Sequence, residues 1–220
     1  MSDILKDGLI KCGLPQNRID EVAEKMEKYI KEIVLFNSAY NLTNTSDHDE
    51  LVIRHILDSL APYSIISKLI NDSGVEAGTF TAGDIGSGGG LPGIPLAACF
   101  PEINFKLVER MEKRCAFLEN CAAILGLKNV EVINSEAERV DAETFNLITF
   151  RAFRPLDKKM TKTLLRIVKE SGYLCAYKAK MDSITEEMDG IKAIVPEYKV
   201  EKLEVPGLED SERNLVIITK

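Results

Sequence analysis

Long apolar runs are missing from this 220-residue chain. The longest uninterrupted one, Ile94–Phe100, is far too short to span a bilayer. The opening MSDILKDGLIK carries acid early and no apolar stretch, so no secretory signal is expected. These absences predict a cytoplasmic protein with no membrane partner. Histidine is scarce, at His48 and His55, and the five cysteines form no C-x-x-C pair and do not cluster with either histidine. No metal site is expected from such a set. The odd cysteine count fits reduced thiols, and Cys99, inside an apolar run, reads as a small core residue. Excess positive charge is lacking too: net charge is −7 and the pI about 5.1. That argues against a general nucleic-acid binder, which carries a basic field, but leaves room for a local basic patch.

What is present is an ordinary globular composition, 45% hydrophobic and 29% charged, enough to bury a substantial core. From Gln16 to about Asn37, apolar residues at Val22, Met26, Ile30, Ile33 and Val34 fall at helical spacing. Asp47 with Glu50 reads as a capping box before a second helix through Leu51, Ile56 and Leu60. Pro62 suits the first turn of a third. The pattern then alternates. Strand-like segments near 81–86, 104–109, 129–134, 145–150 and 171–178 are separated by helix-like ones at 93–100, 111–126, 156–170 and 181–193. Such alternation implies parallel βαβ units. Tyr198–Val205 and Arg213–Thr219 lack a helix between them, which predicts an antiparallel pair. The expected fold is therefore α/β and Rossmann-like. It has a mostly parallel seven-stranded sheet with an antiparallel C-terminal strand pair, and an N-terminal helical extension at 1–78 packed on a core at 79–220.

Chemistry concentrates in Thr81–Pro95, TAGDIGSGGGLPGIP. Glycines at a strand–helix turn let backbone approach a ligand and reach φ > 0 cheaply. Gly88–Gly93 matches G-x-G-x-x-G, and Glu109 follows Gly90 by 19 residues, near the ~20 of a dinucleotide fingerprint. Pro92 and Pro95, however, offer no N–H to a phosphate. No Lys-Ser/Thr follows the glycines, as a P-loop requires. S-adenosylmethionine (SAM) has no phosphate. It needs bare backbone for its methionine part, an acid near its ammonium and a second acid for its ribose. Asp84, the glycines and Glu109 supply these in order, at the strand ends where open α/β sheets bind ligands. Arg110, Lys113 and Arg114 are alternative ion-pair partners for Glu109.

The sequence resembles the ribosomal RNA small subunit methyltransferase G family, also called glucose-inhibited division protein B. The resemblance is carried by YNLTN at Tyr40–Asn44, RHILDSL at Arg54–Leu60, DIGSGGGLPGIPLA at Asp84–Ala97, KRCAFL at Lys113–Leu118, SEAERV at Ser135–Val140 and TFRAFRPL at Thr149–Leu156. It implies a SAM-dependent enzyme that methylates N7 of one guanine in 16S ribosomal RNA, on the small subunit or the free RNA. It also implies cofactor contacts at Gly86, Gly88 and Leu91, at Glu109, Arg110 and Met111, at Ala137 and Glu138, and at Arg151. Leu91 stands where phenylalanine is common, Glu136 replaces a frequent arginine, and Arg154 adds charge where small residues are usual.

Guanine N7 has a free lone pair, so no general base or covalent nucleophile is expected. Catalysis would rest on holding N7 in line with the methyl, roughly 3–3.5 Å away, with Arg151 a candidate for positioning. Neither a Pro-Cys pair nor an Asn/Asp-Pro-Pro-aromatic motif is present. Arg54, Arg154, Lys158 and Lys178 are the RNA-binding candidates. Phe153 is a base-stacking or core residue, and Lys158, Lys159, Lys162, Arg166 and Lys169 form a basic run. No metal is expected, and a monomer is. Two other classes stay open. One is a nicotinamide oxidoreductase, against which Tyr173 and Lys178 stand five apart instead of four. The other is a non-catalytic SAM- or RNA-binding protein of the ribosome.

Overall fold

A computed structural model describes residues 3–220. Its sheet has seven strands in the order β3-β2-β1-β4-β5-β7-β6. They are β1 Thr81–Ile85, β2 Asn104–Glu109, β3 Val130–Asn134, β4 Phe145–Arg151, β5 Val168–Lys178, β6 Lys199–Lys202 and β7 Asn214–Thr219. β1 to β5 pair in parallel, whereas β7 runs antiparallel to both β5 and β6. The chain order reverses at β1, between β2 and β4, which opens a crevice at the carboxyl ends of those strands.

Strand alternation sorts the core into two layers. Leu147, Cys175, Tyr177, Leu215 and Ile217 face one cluster, and Ile148, Leu174, Ala176, Val216 and Ile218 face the other. The first cluster is completed by α1 Ile4–Lys11, α2 Ile19–Tyr40, α3 His48–Leu51, α4 Asp58–Leu60, α5 Tyr63–Asp72, α6 Gly93–Cys99 and α7 Glu112–Ile124. The second is covered by α8 Lys158–Ile167 and α9 Met181–Ile191. Residues of the N-terminal helices and of the sheet thus share one apolar core.

Three local features depart from the expected boundaries. α1 was unread in the sequence; Asp3 caps it by accepting the Lys6 N–H at 3.2 Å, and Leu5 and Leu9 are buried. Between α3 and α4 the helix widens into a π-helical stretch, Val52–Leu57, a form frequent at functional sites. Helix α8 stops at Ile167 instead of continuing to 170. Buried Val168 turns extended and pairs with Phe145, and the β4–β5 register shifts between Phe145 and Leu147.

No helix among the described residues is long and apolar enough to cross a membrane.

Candidate functional site

Two cavities of the crevice meet at Gly86. The smaller, about 220 Å³, is lined by Gly86, Glu109, Arg110, Met111, Ala137 and Glu138, with Ser135, Glu136 and others. The larger, about 870 Å³, is lined by Ser87, Gly88, Leu91, Arg151 and Tyr177, by Arg54, His55 and Asp58 of the N-terminal helices, and by Lys178 and Arg213. Gly86, Arg114, Ala152, Phe153 and Arg154 border both.

β1 ends at Ile85, and Gly86 takes φ +70° to turn the chain away. A Cβ on Gly86 would lie 2.1 Å from the Phe153 ring. Bare backbone and an aromatic face therefore meet at the waist between the cavities. Ala152, just before Phe153, is also left-handed at φ +51°, a conformation that costs an L-residue about 1–2 kcal/mol. The glycine loop is braced from above by the Tyr29 hydroxyl, which donates to the Gly89 carbonyl.

Glu109, 4% exposed at the end of β2, accepts the Gly88 N–H and the Met111 N–H, both at 2.9 Å. It makes no ion pair with Arg110, Lys113 or Arg114, although Arg110 and Arg114 line the same small cavity. Its two carboxylate oxygens fix the loop after β1 against the start of α7, and the residue lines the small cavity. Ala137 and Glu138 form a short 3₁₀ turn after β3, held by Arg166, which donates to the Val140 and Glu138 carbonyls at 2.7 and 3.1 Å.

Asp84 requires a correction. The sequence reading placed its carboxylate at the cofactor's ammonium, but it lines neither cavity. It shares the strand face of Ala82, which α6 covers, and it is 1% exposed. One oxygen, Oδ2, accepts both the Ser87 hydroxyl at 2.7 Å and the Gly93 N–H at 3.0 Å. Burial pushes its pKa up to about 6, while the Ser87 and Gly93 donors oppose the rise. Asp84 shapes the glycine loop from beneath. Gly93 is required by the same contact, since a Cβ there would sit 2.7 Å from Asp84 Oδ2 and 2.4 Å from Leu107.

The wall of the large cavity is a charge network joining segments far apart in sequence. Asp58, 7% exposed, accepts Arg151 Nη1 at 2.7 Å and Arg213 Nε at 3.1 Å. Arg151 also lies 3.4 Å from His55 Nδ1. Because a guanidinium only donates, that nitrogen is the acceptor and Nε2 carries the proton. Burial, then the Arg151 charge, lowers the His55 pKa to about 4, so the ring is neutral at physiological pH. Arg151 thus belongs to the wall of the large cavity and does not reach the small one.

The RNA candidates separate. Arg54 and Arg154 border the large cavity, with Arg154 5.6 Å over the Phe153 ring. Lys178 borders it too but is paired with Glu187 at 2.6 Å. Lys158 lies exposed on α8, outside both cavities, and Arg166 and Lys169 of the same run are bound to nearby acceptors. Sequence reasoning missed Asp58, Arg213 and Lys180. With them, seven cationic side chains line the large cavity against two carboxylates, Asp58 and Glu187.

The site suits a cofactor that is a nucleoside at one end and a small zwitterion at the other. The small cavity offers Glu109 and a 3₁₀ turn, and the waist offers bare backbone.

Known proteins agree with this architecture. The GidB family model, described as rRNA small subunit methyltransferase G, matches residues 22–216. Ribosomal RNA small subunit methyltransferase G from Treponema denticola is 39% identical over 245 residues, spanning 99% of this chain and 96% of that protein. The protein of the same name from Neisseria meningitidis serogroup B is 35% identical, spanning 98% and 97%. Among solved structures, a SAM-dependent methyltransferase from Aquifex aeolicus superposes with a TM-score of 0.55 at 18% identity, over 79% of this chain and 93% of that one. That likeness carries the fold alone.

Proposed function

This chain belongs to the rRNA small subunit methyltransferase G family, and from that premise we propose that it methylates N7 of one guanine in 16S ribosomal RNA. It is a SAM-dependent ribosomal RNA methyltransferase of the small subunit; the base, the atom and the residue roles are our reading. The observation that carries this reading is the junction at Gly86. There a small acid-bearing cavity opens into a large cation-lined one at the sheet's switch point.

SAM supplies an electrophilic methyl group on a sulfonium. Glu109 would hold the ribose hydroxyls, and the Ala137–Glu138 turn with Met111 would flank the adenine. Gly86 and Gly88 would admit the methionine part against main chain. The large cavity then takes the base. Its wall of Arg151, Asp58 and neutral His55 is held in one geometry by the hydrogen bonds given above, and such preorganisation is what an in-line transfer needs. Guanine N7 reacts through an existing lone pair, so no residue has to take a proton beforehand. A neutral His55 that already accepts from Arg151 is consistent with that economy. Arg54, Arg154 and Lys180, at the cavity border, would meet RNA phosphates. Because residues of 1–78 supply Asp58 and His55 to the wall, the helical extension works with the core at 79–220 as one unit.

Incubation with labelled SAM and unmethylated small subunits, or with naked 16S RNA, followed by borohydride–aniline cleavage, tests the reading. Cleavage at a single guanine is expected. Label without cleavage would refute N7 as the acceptor.

A further inference from the structure

Arg114 is the cation in the crevice whose job the preceding reading leaves open. It projects from the first turn of α7 and is half-buried, and it borders both cavities at their waist. Its Nε is buried and has no hydrogen-bond partner, the sole such side-chain atom among the described residues. Its only hydrogen bond is a long one, Nη2 to the Asn41 carbonyl at 3.5 Å. It pairs with no carboxylate among the described residues, although Glu109 is close in sequence. Its Nη1 stands 3.9 Å from where a Cβ on Gly88 would be, so the guanidinium lies alongside the glycine loop.

A buried donor without an acceptor is costly, by more when the group is charged. Such a group is commonly satisfied by a ligand. We infer that Arg114 binds the methionyl carboxylate of SAM and so selects the zwitterionic end of the cofactor; this rests on the SAM-dependent reading above. The chemistry narrows the choice. SAM has a single anionic group, because it carries no phosphate, and its sulfonium and ammonium would be repelled by a guanidinium. A guanidinium also matches a carboxylate in fork geometry, which an ammonium does not. Arg154 and Lys180 are exposed at the cavity border, and are the groups better placed for phosphate. Asn41 ends α2 in a left-handed conformation, φ +50°. Its carbonyl accepts the long Arg114 Nη2 bond, so the residue that ends α2 touches the guanidinium proposed to select the cofactor.

The test is calorimetric and needs no RNA. SAM and decarboxylated SAM, which differ by the carboxylate, are titrated into the full-length wild type, Arg114→Met and Arg114→Lys, with thermal melts as the fold control. The wild type is expected to prefer SAM by about ten- to a hundredfold, the value of a charge-assisted pair. Arg114→Met should lose that preference by binding SAM more weakly while binding decarboxylated SAM as the wild type does. Arg114→Lys, which keeps the charge without the fork, should retain part of it; if the Met variant does not fold, the drop in preference in the Lys variant carries the result. A preference unchanged in the folded variants overturns the inference, as does equal weakening toward both ligands. No binding of either ligand to the wild type would sink the SAM reading itself, a result distinct from the others.

Discussion

Replacing Asp84 with asparagine separates a loop-shaping carboxylate from a ligand-binding one. Asp84 uses one oxygen, Oδ2, for both of its hydrogen bonds, to Ser87 and Gly93. An asparagine carbonyl can keep both while removing the charge. Burial raises the folded-state pKa from 3.8 to about 6. A carboxyl raised in this way holds its proton more tightly when folded. Its stabilisation is fully present below the unfolded pKa and is lost as pH rises through the folded one. With 1.36 kcal/mol per unit, the loss is about 3 kcal/mol between pH ~4 and ~6.5. Asp84→Asn cannot titrate and escapes this loss. Urea unfolding of both proteins across pH 4 to 8 at constant ionic strength should therefore show the variant gaining on the wild type by up to about 3 kcal/mol, with a plateau above pH ~7. Because Asp84 lines neither cavity, SAM affinity should change by no more than a few-fold. A flat stability difference across that window would refute the ionisation account. A large loss of SAM affinity at unchanged stability would restore a direct contact with the cofactor.

Four further outcomes are expected. Glu109→Ala removes the acceptor of two backbone N–H groups as well as the small cavity's carboxylate, and SAM affinity measured by calorimetry should fall at least about tenfold; unchanged affinity would exclude Glu109 from the site. Asp58→Ala leaves Arg151 and Arg213 without their shared partner. It should cost about 2–4 kcal/mol in denaturant unfolding, discounted for the partial exposure of Arg213; a change below about 0.5 kcal/mol would show the network to be energetically idle. Gly86→Ala and Phe153→Ala should be coupled, because the added methyl meets the Phe153 ring. The double variant should be less destabilised than the sum of the singles, and strict additivity would place the ring elsewhere. His55, held near pKa 4, should leave no inflection in kcat/KM between pH 6 and 8; one that vanishes in His55→Gln would show that the ring titrates in that range.

Strand and helix order was legible because strand-like and helix-like segments alternate along the chain from residue 81 to 193. The switch point followed from that order. What the sequence hid is of two kinds. One is side-chain direction. Asp84 sits at the expected strand end, but alternation places it with Ala82 under α6, and only the contact with Gly93 N–H reveals its use. The same holds for Glu109, which had three basic neighbours in sequence and binds main chain instead. The other kind is distance along the chain. Asp58 meets Arg151 across 93 residues and Arg213 across 155, and no local spacing announces such a triad. Short segments such as α1 fell below the length at which helical period declares itself.

The net charge of −7 and the cation-lined cavity are compatible because they act at different ranges. Beyond a Debye length of about 8–10 Å the excess acid is screened at physiological salt, so an approaching polyanion responds to local charge. Within the large cavity the two carboxylates are already engaged, Asp58 with two arginines and Glu187 with Lys178. They immobilise cations without cancelling the whole set, which leaves Arg54, Arg154 and Lys180 to act outward. Acid elsewhere on the surface then opposes RNA binding away from the crevice, where cations do not outnumber carboxylates. A negative chain with one positive recess is a way to favour a single site on a long polyanion, since non-specific RNA affinity grows with every phosphate a protein neutralises. Specificity of this kind comes from where the charge is missing as much as from where it is placed.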